Sequence, residues 1–273
     1  MVAFVVFVFG LAIGSFLNAV IYRMEKGESV LRGRSYCPHC KHPLAWHDLV
    51  PLLSFFLLRG KCRYCKEKIS FQYPLVELAT ALLFIAIVSV SSPWLNQGVE
   101  NLAKLSFTQV AELFYLWVVA SAFIVIFVYD LKHYLIPDKI LYPIIGLVLL
   151  YQMFGNWELG IGNFASLINP LASALGAGLF FFFIYAFSKG RAMGFGDVKL
   201  AFLLGLFLGW PSILVALFFA FCLGAVFGLI LIALKKKGLK SEVPFAPFLI
   251  TGTAIAFFFG LGVLNWYLGL FLV

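Results

Sequence analysis

The sequence predicts an all-α, polytopic membrane protein with about eight transmembrane helices and a small cytoplasmic zinc-binding domain between helices 1 and 2. Hydrophobic residues make up 63% of its 273 positions and charged residues only 12%, whereas soluble domains have about 45–50% and 25%. The apolar runs are also long enough to cross a hydrocarbon core, which takes about 20 helical residues. The one long polar stretch follows the first run and contains four of the five cysteines.

The apolar runs define eight predicted spans. Their approximate bounds are 2–22, 73–92, 109–129, 140–156, 166–188, 198–210, 211–234 and 246–271. No basic segment precedes the first run and Arg23 follows it, which is the reverse of the order in a cleavable signal peptide. We therefore expect the first run to be retained as a membrane helix.

The distribution of basic residues predicts the orientation of these spans. If all eight cross, the loops at 23–72, 130–139, 189–199 and 235–245 lie on one side of the membrane, and they hold 19 of the 20 Lys and Arg residues. Only Lys104 lies on the opposite side. Basic loops face the cytoplasm in membrane proteins, so both termini are expected outside.

Domain boundaries and partners follow from the same pattern. The predicted division is a first transmembrane helix at 1–22, a cysteine-rich zinc domain at 23–72 and a seven-helix membrane domain at 73–273. The net charge of +8 resides in short loops and forms no aromatic-interleaved basic stripe of the kind that binds nucleic acid. The lipid bilayer is therefore an expected partner, and nucleic acid is not.

Two cysteine pairs indicate a metal site in the polar stretch. Cys37 and Cys40 form one CxxC motif, Cys62 and Cys65 form a second, and 21 residues separate the two motifs. Four thiolates at this spacing suit tetrahedral Zn²⁺, and a site closed by four protein ligands is structural. Two disulfides or free structural cysteines are the alternatives, of which a reducing cytoplasm disfavours the first.

The remaining residues of metal-binding type receive other interpretations. His39, His42 and His47 are expected at the surface or next to the metal ligands, since four cysteines already complete a closed site. Cys222 lies within an apolar span and is expected to pack as a small hydrophobic residue.

Two aspartates at the ends of apolar spans are candidates for catalysis. Asp130 ends the third span, and Asp197 begins the sixth in a segment that includes Gly194, Gly196 and Lys199. Two carboxylates held close together can share one proton, so that the ionised group activates water and the protonated group donates to a peptide bond. Glycines permit a close approach of the substrate backbone. Because 67 residues separate the aspartates, spacing alone does not establish that they meet.

Helix capping is the alternative interpretation of these carboxylates. Asp197 has the position of a helix N-cap, for which aspartate is preferred. Asp130 fits this role poorly because it lies at the end of the helix dipole that disfavours negative charge. Asp138 precedes the fourth span and is interpreted as an N-cap, and Glu112 is interpreted as marking the outer interface.

At these residues the chain resembles the type IV prepilin peptidases, bacterial membrane enzymes of the GxGD aspartic protease class. The likeness covers nearly the whole chain. It is carried by Gly14-Ser-Phe-Leu-Asn18-Ala-Val-Ile-Tyr-Arg23, both CxxC motifs, Tyr73-Pro74-Leu-Val-Glu77, Tyr129-Asp130, Ile136-Pro137-Asp138 and Gly194-Phe-Gly196-Asp197-Val-Lys199.

The resemblance implies an activity, a location and catalytic residues. Family members cleave the short basic leader of type IV prepilins or type II secretion pseudopilins at the cytoplasmic face of the inner membrane. The aspartates that match Asp130 and Asp197 are catalytic in that family, so Gly194, Gly196 and Lys199 are expected to shape the active site.

The resemblance also implies a second activity. Full-length members methylate the new N-terminal residue with S-adenosylmethionine, and this chain keeps the cysteine domain that accompanies methylation. Asn18, Arg23 and Glu77 are candidates to line the pocket of the methyl donor. Polar links between packed helices are an equally good interpretation of these three residues.

Two functions of other classes remain as alternatives. A transporter would use the carboxylates as proton-relay groups and the zinc domain for regulation, but transporters place coupling sites near the bilayer midplane. A zinc-stabilised structural component of the membrane would explain the cysteines and leave the segment from Gly194 to Asp197 without a purpose.

Overall fold

Helices make up the regular structure of the described residues, apart from two isolated antiparallel bridges in the cysteine-rich segment. The structure is a computed structural model, and it describes residues 1–30, 33–91, 107–154, 164–191, 193–234 and 243–270. Within these ranges the helices are α1 (Val2–Lys26), α2 (Leu53–Leu57), α3 (Gln72–Ser91), α4 (Phe107–His133), α5 (Asp138–Phe154), α6 (Phe164–Ser188), α7 (Phe195–Leu208), α8 (Ser212–Ala233) and α9 (Ala246–Gly269). A 3₁₀ turn covers Trp46–Asp48.

Each of the eight predicted spans corresponds to a helix, but fewer than eight of these helices are of full crossing length. Among the described residues, six helices are long and apolar enough to cross a membrane: α1, α3, α4, α6, α8 and α9. The protein is therefore a multi-pass membrane protein. Helix α5 has 17 residues and α7 has 14, which correspond to about 26 and 21 Å at 1.5 Å per residue. Hydropathy finds such apolar segments whether lipid or protein surrounds them.

Close packing of α1 on α3 organises the first of two compact units, Met1–Val125. A Cβ atom on Gly10 would lie 2.6 Å from the Cα of Ala81, and one on Gly14 would lie 2.6 Å from the Cα of Glu77. Small residues four positions apart allow two membrane helices to approach this closely. The unit also includes the cysteine-rich segment and the first part of α4.

Helix α7 lies at the centre of the second unit, Ile126–Val273. It packs against α5, α6, α8 and α9, and its leucines at 200, 203, 204 and 206 are fully buried. A helix that is apolar on all sides is stable where protein surrounds it, as neighbouring helices surround α7. The last turn of α4, with Asp130, belongs to this unit.

Only part of the basic loops lies among the residues that the structure describes. Lys104 and residues 235–242 of the fourth basic loop lie outside the described residues. The orientation of the helices in the membrane therefore remains a prediction from the sequence.

Candidate active site and metal centre

Asp130 is held in the interior of the second unit by the end of α4. Only 5% of the residue is exposed, and its Oδ2 atom has no hydrogen-bond partner among the described residues. The Ala246 backbone N–H, at the start of α9, interacts with the carboxylate. The chain turns directly after α4, where Tyr134 has a φ of 55° and donates its amide to the Asp130 carbonyl at 2.9 Å. A buried carboxylate oxygen without a partner is typical of functional sites.

Asp197 lies inside the first turn of α7, so its interpretation as the helix N-cap is wrong. The N-cap is Gly194, whose extended backbone (φ −74°, ψ 152°) leads into the helix at Phe195 without a side-chain cap. The Asp197 amide donates to the Gly194 carbonyl at 3.2 Å. Its carboxylate is consequently free of the capping role. Asp130 is near enough for the charges of the two carboxylates to interact, so both belong to the same region of the second unit.

Two contacts fasten the start of α7 to the segment that follows Asp130. A Cβ atom on Gly196 would lie 3.2 Å from the Cβ of Ile136, so a larger residue would push these segments apart. The Lys199 Nζ donates to Asp138 Oδ1 at 2.6 Å. Asp138 therefore begins α5 with its carboxylate paired to Lys199, an ion pair that the sequence analysis missed. The signal in the sequence was that Asp138 and Lys199 carry opposite charges and each end one of the motifs on which the family resemblance depends.

The four cysteines of the two CxxC motifs converge on one point in the first unit. Their sulfur atoms all lie within 4.8 Å of one another, and the Sγ atoms of Cys37 and Cys65 are 3.9 Å apart. A tetrahedral zinc with Zn–S bonds of about 2.3 Å separates its sulfurs by about 3.8 Å. All the cysteines are free thiols, so the arrangement is that of a metal site and not of two disulfides.

The two motifs are built as matching turns. The Cys37 amide donates to the His42 carbonyl, and the Cys37 carbonyl accepts from the Lys41 amide. The Cys62 amide donates to the Glu67 carbonyl in the same way, and the Cys62 carbonyl accepts from the Lys66 amide. Lys41 and Lys66 both have left-handed φ angles, 58° and 60°. Each turn is closed by an isolated antiparallel bridge. This repeated geometry points both sulfurs of each motif to the same side.

The ionisation of these thiols favours a bound cation. Burial raises the pKa of the Cys37 thiol. Burial also opposes ionisation of Cys62, but the N–H groups of Cys65 and Tyr64 outweigh it and lower its pKa to about 7. A hydrogen bond from the Glu67 amide lowers the pKa of the Cys65 thiol, but burial and the neighbouring thiols outweigh it and raise this pKa to about 12. Thiols this close resist ionising together unless a divalent cation binds them.

Asp48 supports the second motif, and the sequence analysis missed it. Its side chain is only 4% exposed and accepts hydrogen bonds from Arg63 Nε at 2.7 Å and from the Tyr64 hydroxyl at 3.1 Å. Arg63 and Tyr64 are the two central residues of that CxxC motif. Burial opposes its ionisation, but these bonds lower the pKa of Asp48 below its usual value. Its signal was that it is the single acidic residue between positions 33 and 66.

The histidines and the fifth cysteine stand apart from the four sulfurs. His39, His42 and His47 are exposed, and the His42 ring packs on Tyr64 with a centroid distance of 3.7 Å. None of them belongs to the group whose ligand atoms converge in the described part of the chain. Cys222 is exposed on α8, so the prediction that it is packed is wrong. Its thiol faces away from the protein interior on a helix that is apolar enough to cross the membrane, so contact with lipid suits it.

Asn18, Arg23 and Glu77 are buried in the first unit and engaged with backbone atoms. Asn18 Nδ2 donates to the Tyr73 carbonyl at 3.0 Å, and Glu77 Oε2 accepts from the Leu52 amide at 2.9 Å. The Arg23 guanidinium donates to two carbonyls of the segment after α1, at 2.9 and 2.8 Å. These are links between α1, α3 and the cysteine-rich segment. A role in binding the methyl donor remains a prediction.

Family models match both units. The bacterial peptidase A24 N-terminal domain matches residues 8–90, which include the four cysteines, and the type IV leader peptidase family matches residues 117–229, which include both aspartates. No solved structure matches the chain.

Curated relatives match over almost the full length of the chain. A protein of Aeromonas hydrophila is 35% identical over 98% of this chain and 94% of its own. One of Bacillus subtilis (strain 168) is 32% identical over 97% of each chain, and one of Legionella pneumophila is 30% identical over 97% and 94%. All three are named prepilin leader peptidase/N-methyltransferase. Since the matches cover both the cysteine cluster and the aspartate pair, this chain belongs to the type IV leader peptidase family.

Proposed function

We propose that this protein cleaves the basic leader of type IV prepilins or type II secretion pseudopilins with Asp130 and Asp197, and then N-methylates the new N-terminal residue. The observation that carries the proposal is the meeting of two carboxylates at the adjoining ends of α4 and α7, one of them buried with an unpartnered oxygen. The names of the relatives support it. They give no support to the alternative of a transporter.

The peptidase step needs one ionised and one protonated carboxylate. Because the two negative charges repel each other, a single proton shared by the pair is the favoured state. The ionised aspartate accepts a proton from water as the water attacks the scissile carbonyl. The protonated aspartate donates its proton to the oxyanion. As the tetrahedral intermediate collapses, the other aspartate gives the proton taken from water to the leaving amine, and a hydroxyl of the intermediate returns a proton to the first aspartate. Asp130 and Asp197 fill these two roles. Gly194 leaves room for an extended substrate backbone, whereas Gly196 shapes the site by letting Ile136 pack against the start of α7.

The proposed topology brings the substrate to these aspartates. A prepilin has a basic leader followed by an apolar helix, so its scissile bond lies where the cytoplasm meets the lipid. In the proposed orientation both termini of the enzyme are outside, and the cysteine-rich domain at 23–72 and the catalytic residues are cytoplasmic. The catalytic machinery lies in the membrane domain at 73–273, and the helix at 1–22 anchors the cysteine-rich domain.

The methylation step depends on the first unit. Cys37, Cys40, Cys62 and Cys65 would hold a structural Zn²⁺, whose role is to fix the fold of the cysteine-rich segment. S-adenosylmethionine supplies the methyl group. Asn18, Arg23 and Glu77 are proposed to shape the donor pocket through the links they make between α1, α3 and that segment.

One experiment tests both activities. The purified protein in detergent is incubated with a prepilin, with and without S-adenosylmethionine, and the product's N-terminus is analysed by mass spectrometry. We expect a leaderless product without the donor and the same product heavier by one methyl group with it. An intact substrate in the presence of folded protein would contradict the peptidase proposal, and an unmethylated product with donor present would contradict only the methyltransferase proposal.

The Asp138–Lys199 ion pair is expected to position the active site. Lys199→Ala should lower the cleavage rate about 2- to 5-fold, because partly exposed ion pairs contribute about 1 kcal/mol or less and the aspartates themselves remain. The exchanged pair Asp138→Lys with Lys199→Asp should recover part of that loss. The measurement is the initial rate of prepilin cleavage.

Lys132→Ala is the matched control for this prediction. It removes a basic residue from the last turn of α4, two residues after Asp130, as Lys199 is two residues after Asp197. We expect its cleavage rate to stay close to that of the parent. A charge-exchanged variant no faster than the Lys199→Ala variant would show that the lysine acts by something other than its pairing with Asp138.

Asp48→Asn is expected to weaken metal binding while leaving the four sulfurs in place. The amide keeps the shape of the side chain but loses the charge that orients Arg63 and Tyr64, and outer partners of this kind change metal affinity by about 10- to 100-fold. Competition with a chromogenic chelator gives the affinity directly. Glu67→Gln, at an exposed acidic residue just after the second motif, is the control and should leave the affinity unchanged.

A further inference from the structure

An apolar face on the short helix α2 is exposed in the cysteine-rich segment. Leu53, Phe56 and Leu57 have exposed fractions of 60%, 70% and 80%. They are three and four residues apart and therefore lie on one side of the short helix. Three large apolar side chains on one exposed face are unusual for a domain in water.

Contacts with α3 fix the level of α2 along the membrane helices. The Leu52 amide, directly before α2, donates to Glu77 Oε2 at 2.9 Å. The Phe55 ring packs on Phe71, next to the start of α3, with a centroid distance of 5.4 Å. Glu77 lies five residues after the first residue of α3, which is about 7.5 Å along the axis. Helix α2 is therefore level with the first two turns of α3.

Those turns of α3 belong to a helix that is long and apolar enough to cross the membrane. Its 20 residues span about 30 Å, the thickness of the hydrocarbon core. Phe71 and Leu75 are 73% and 63% exposed at this end of the helix, as expected for side chains that face lipid. Helix α2 thus lies at the depth where acyl chains meet headgroups.

We propose that α2 is an interfacial anchor and that its partner is the lipid bilayer. The face formed by Leu53, Phe56 and Leu57 inserts between lipid headgroups, as apolar faces of membrane-surface helices do to a depth of about 5–10 Å. The exposed Arg59, two residues after this helix, is placed to meet lipid phosphates. The cysteine-rich segment is then held to the membrane at α2 as well as by α1 and α3.

Photocrosslinking in nanodiscs tests this anchor. The full-length protein carries p-benzoylphenylalanine at position 56 or 57, and discs contain phosphatidylethanolamine and phosphatidylglycerol. The control has the same photoprobe at position 67, where Glu67 is exposed and charged and so belongs in water. We expect lipid adducts, identified by mass spectrometry, at positions 56 and 57 and few at position 67. Equal lipid adducts at all three positions would overturn the proposal, as would adducts at 56 and 57 to another protein chain.

Hydrogen exchange gives a second readout that does not depend on the photoprobe. The double variant Phe56→Asp with Leu57→Asp should increase amide exchange of residues 50–58 in nanodiscs, because carboxylates are expelled from the interface. The control is Lys66→Asp with Lys68→Asp, which adds the same number of acidic groups at exposed positions beside the second cysteine motif. It should not change amide exchange of residues 50–58. Metal content near that of the parent shows that each variant is folded. Unchanged exchange in a folded Phe56/Leu57 variant would contradict the anchor.

Discussion

Replacement of either Asp130 or Asp197 by asparagine is expected to abolish prepilin cleavage. Asparagine keeps the size of the side chain but neither accepts a proton from water nor donates one to the leaving amine. General acid–base catalysis contributes about 10²- to 10⁴-fold to a rate, so each single variant should lose at least about 100-fold. The double variant should be no slower than the slower single variant, because the two groups act as one unit. Initial rates with a purified prepilin, followed by mass spectrometry, give the comparison.

The controls separate catalysis from folding. Glu112→Gln removes another carboxylate from α4, at an exposed position, and should leave the rate unchanged. Both aspartate variants should retain metal and should still methylate a pilin peptide that lacks its leader, since the cysteine cluster belongs to the other unit. Cleavage above a tenth of the parent rate in either variant would contradict the assignment.

Hydropathy predicts the helices of this protein well because lipid and protein interior select the same apolar residues. All eight predicted spans are helical, and the cysteine spacing predicted a cluster that the fold forms. The same equivalence explains why hydropathy finds more candidate spans than there are helices of full crossing length. Helix α7 is as apolar as a span, but α5, α6, α8 and α9 surround it, and its 14 residues extend about 21 Å, less than the roughly 30 Å of a hydrocarbon core.

The active site could be predicted only in part, because its geometry depends on contacts distant in sequence. A pattern of residues places Asp130 and Asp197 at helix ends but does not show that the ends adjoin. The backbone also decides between interpretations of Asp197: Gly194 caps α7, and Asp197 therefore lies within its first turn. Asp48 illustrates the same limit, since nothing near it in sequence reveals that it accepts bonds from the centre of the second CxxC motif.

Loss of one cysteine ligand is the second change with a large expected effect. The parent should contain about one zinc per chain, and Cys37→Ser should contain almost none, because three remaining thiolates and a neutral hydroxyl do not complete a closed tetrahedral site. Binding of structural zinc stabilises small domains by an apparent free energy of about 10–16 kcal/mol. Elemental analysis of protein purified without chelator measures the metal content.

The activities of this variant then show what the metal supports. Cys37 is 5% exposed in the first unit, and Asp130 and Asp197 lie in the second. We therefore expect Cys37→Ser to lose methylation and to retain cleavage of the leader at a measurable rate. Cys222→Ser is the matched control, since Cys222 is exposed on α8 and outside the cluster, and it should keep the metal and both activities. Full metal content in Cys37→Ser would contradict the four-cysteine site, whereas loss of cleavage together with methylation would show that the peptidase centre also depends on the metal-bound fold.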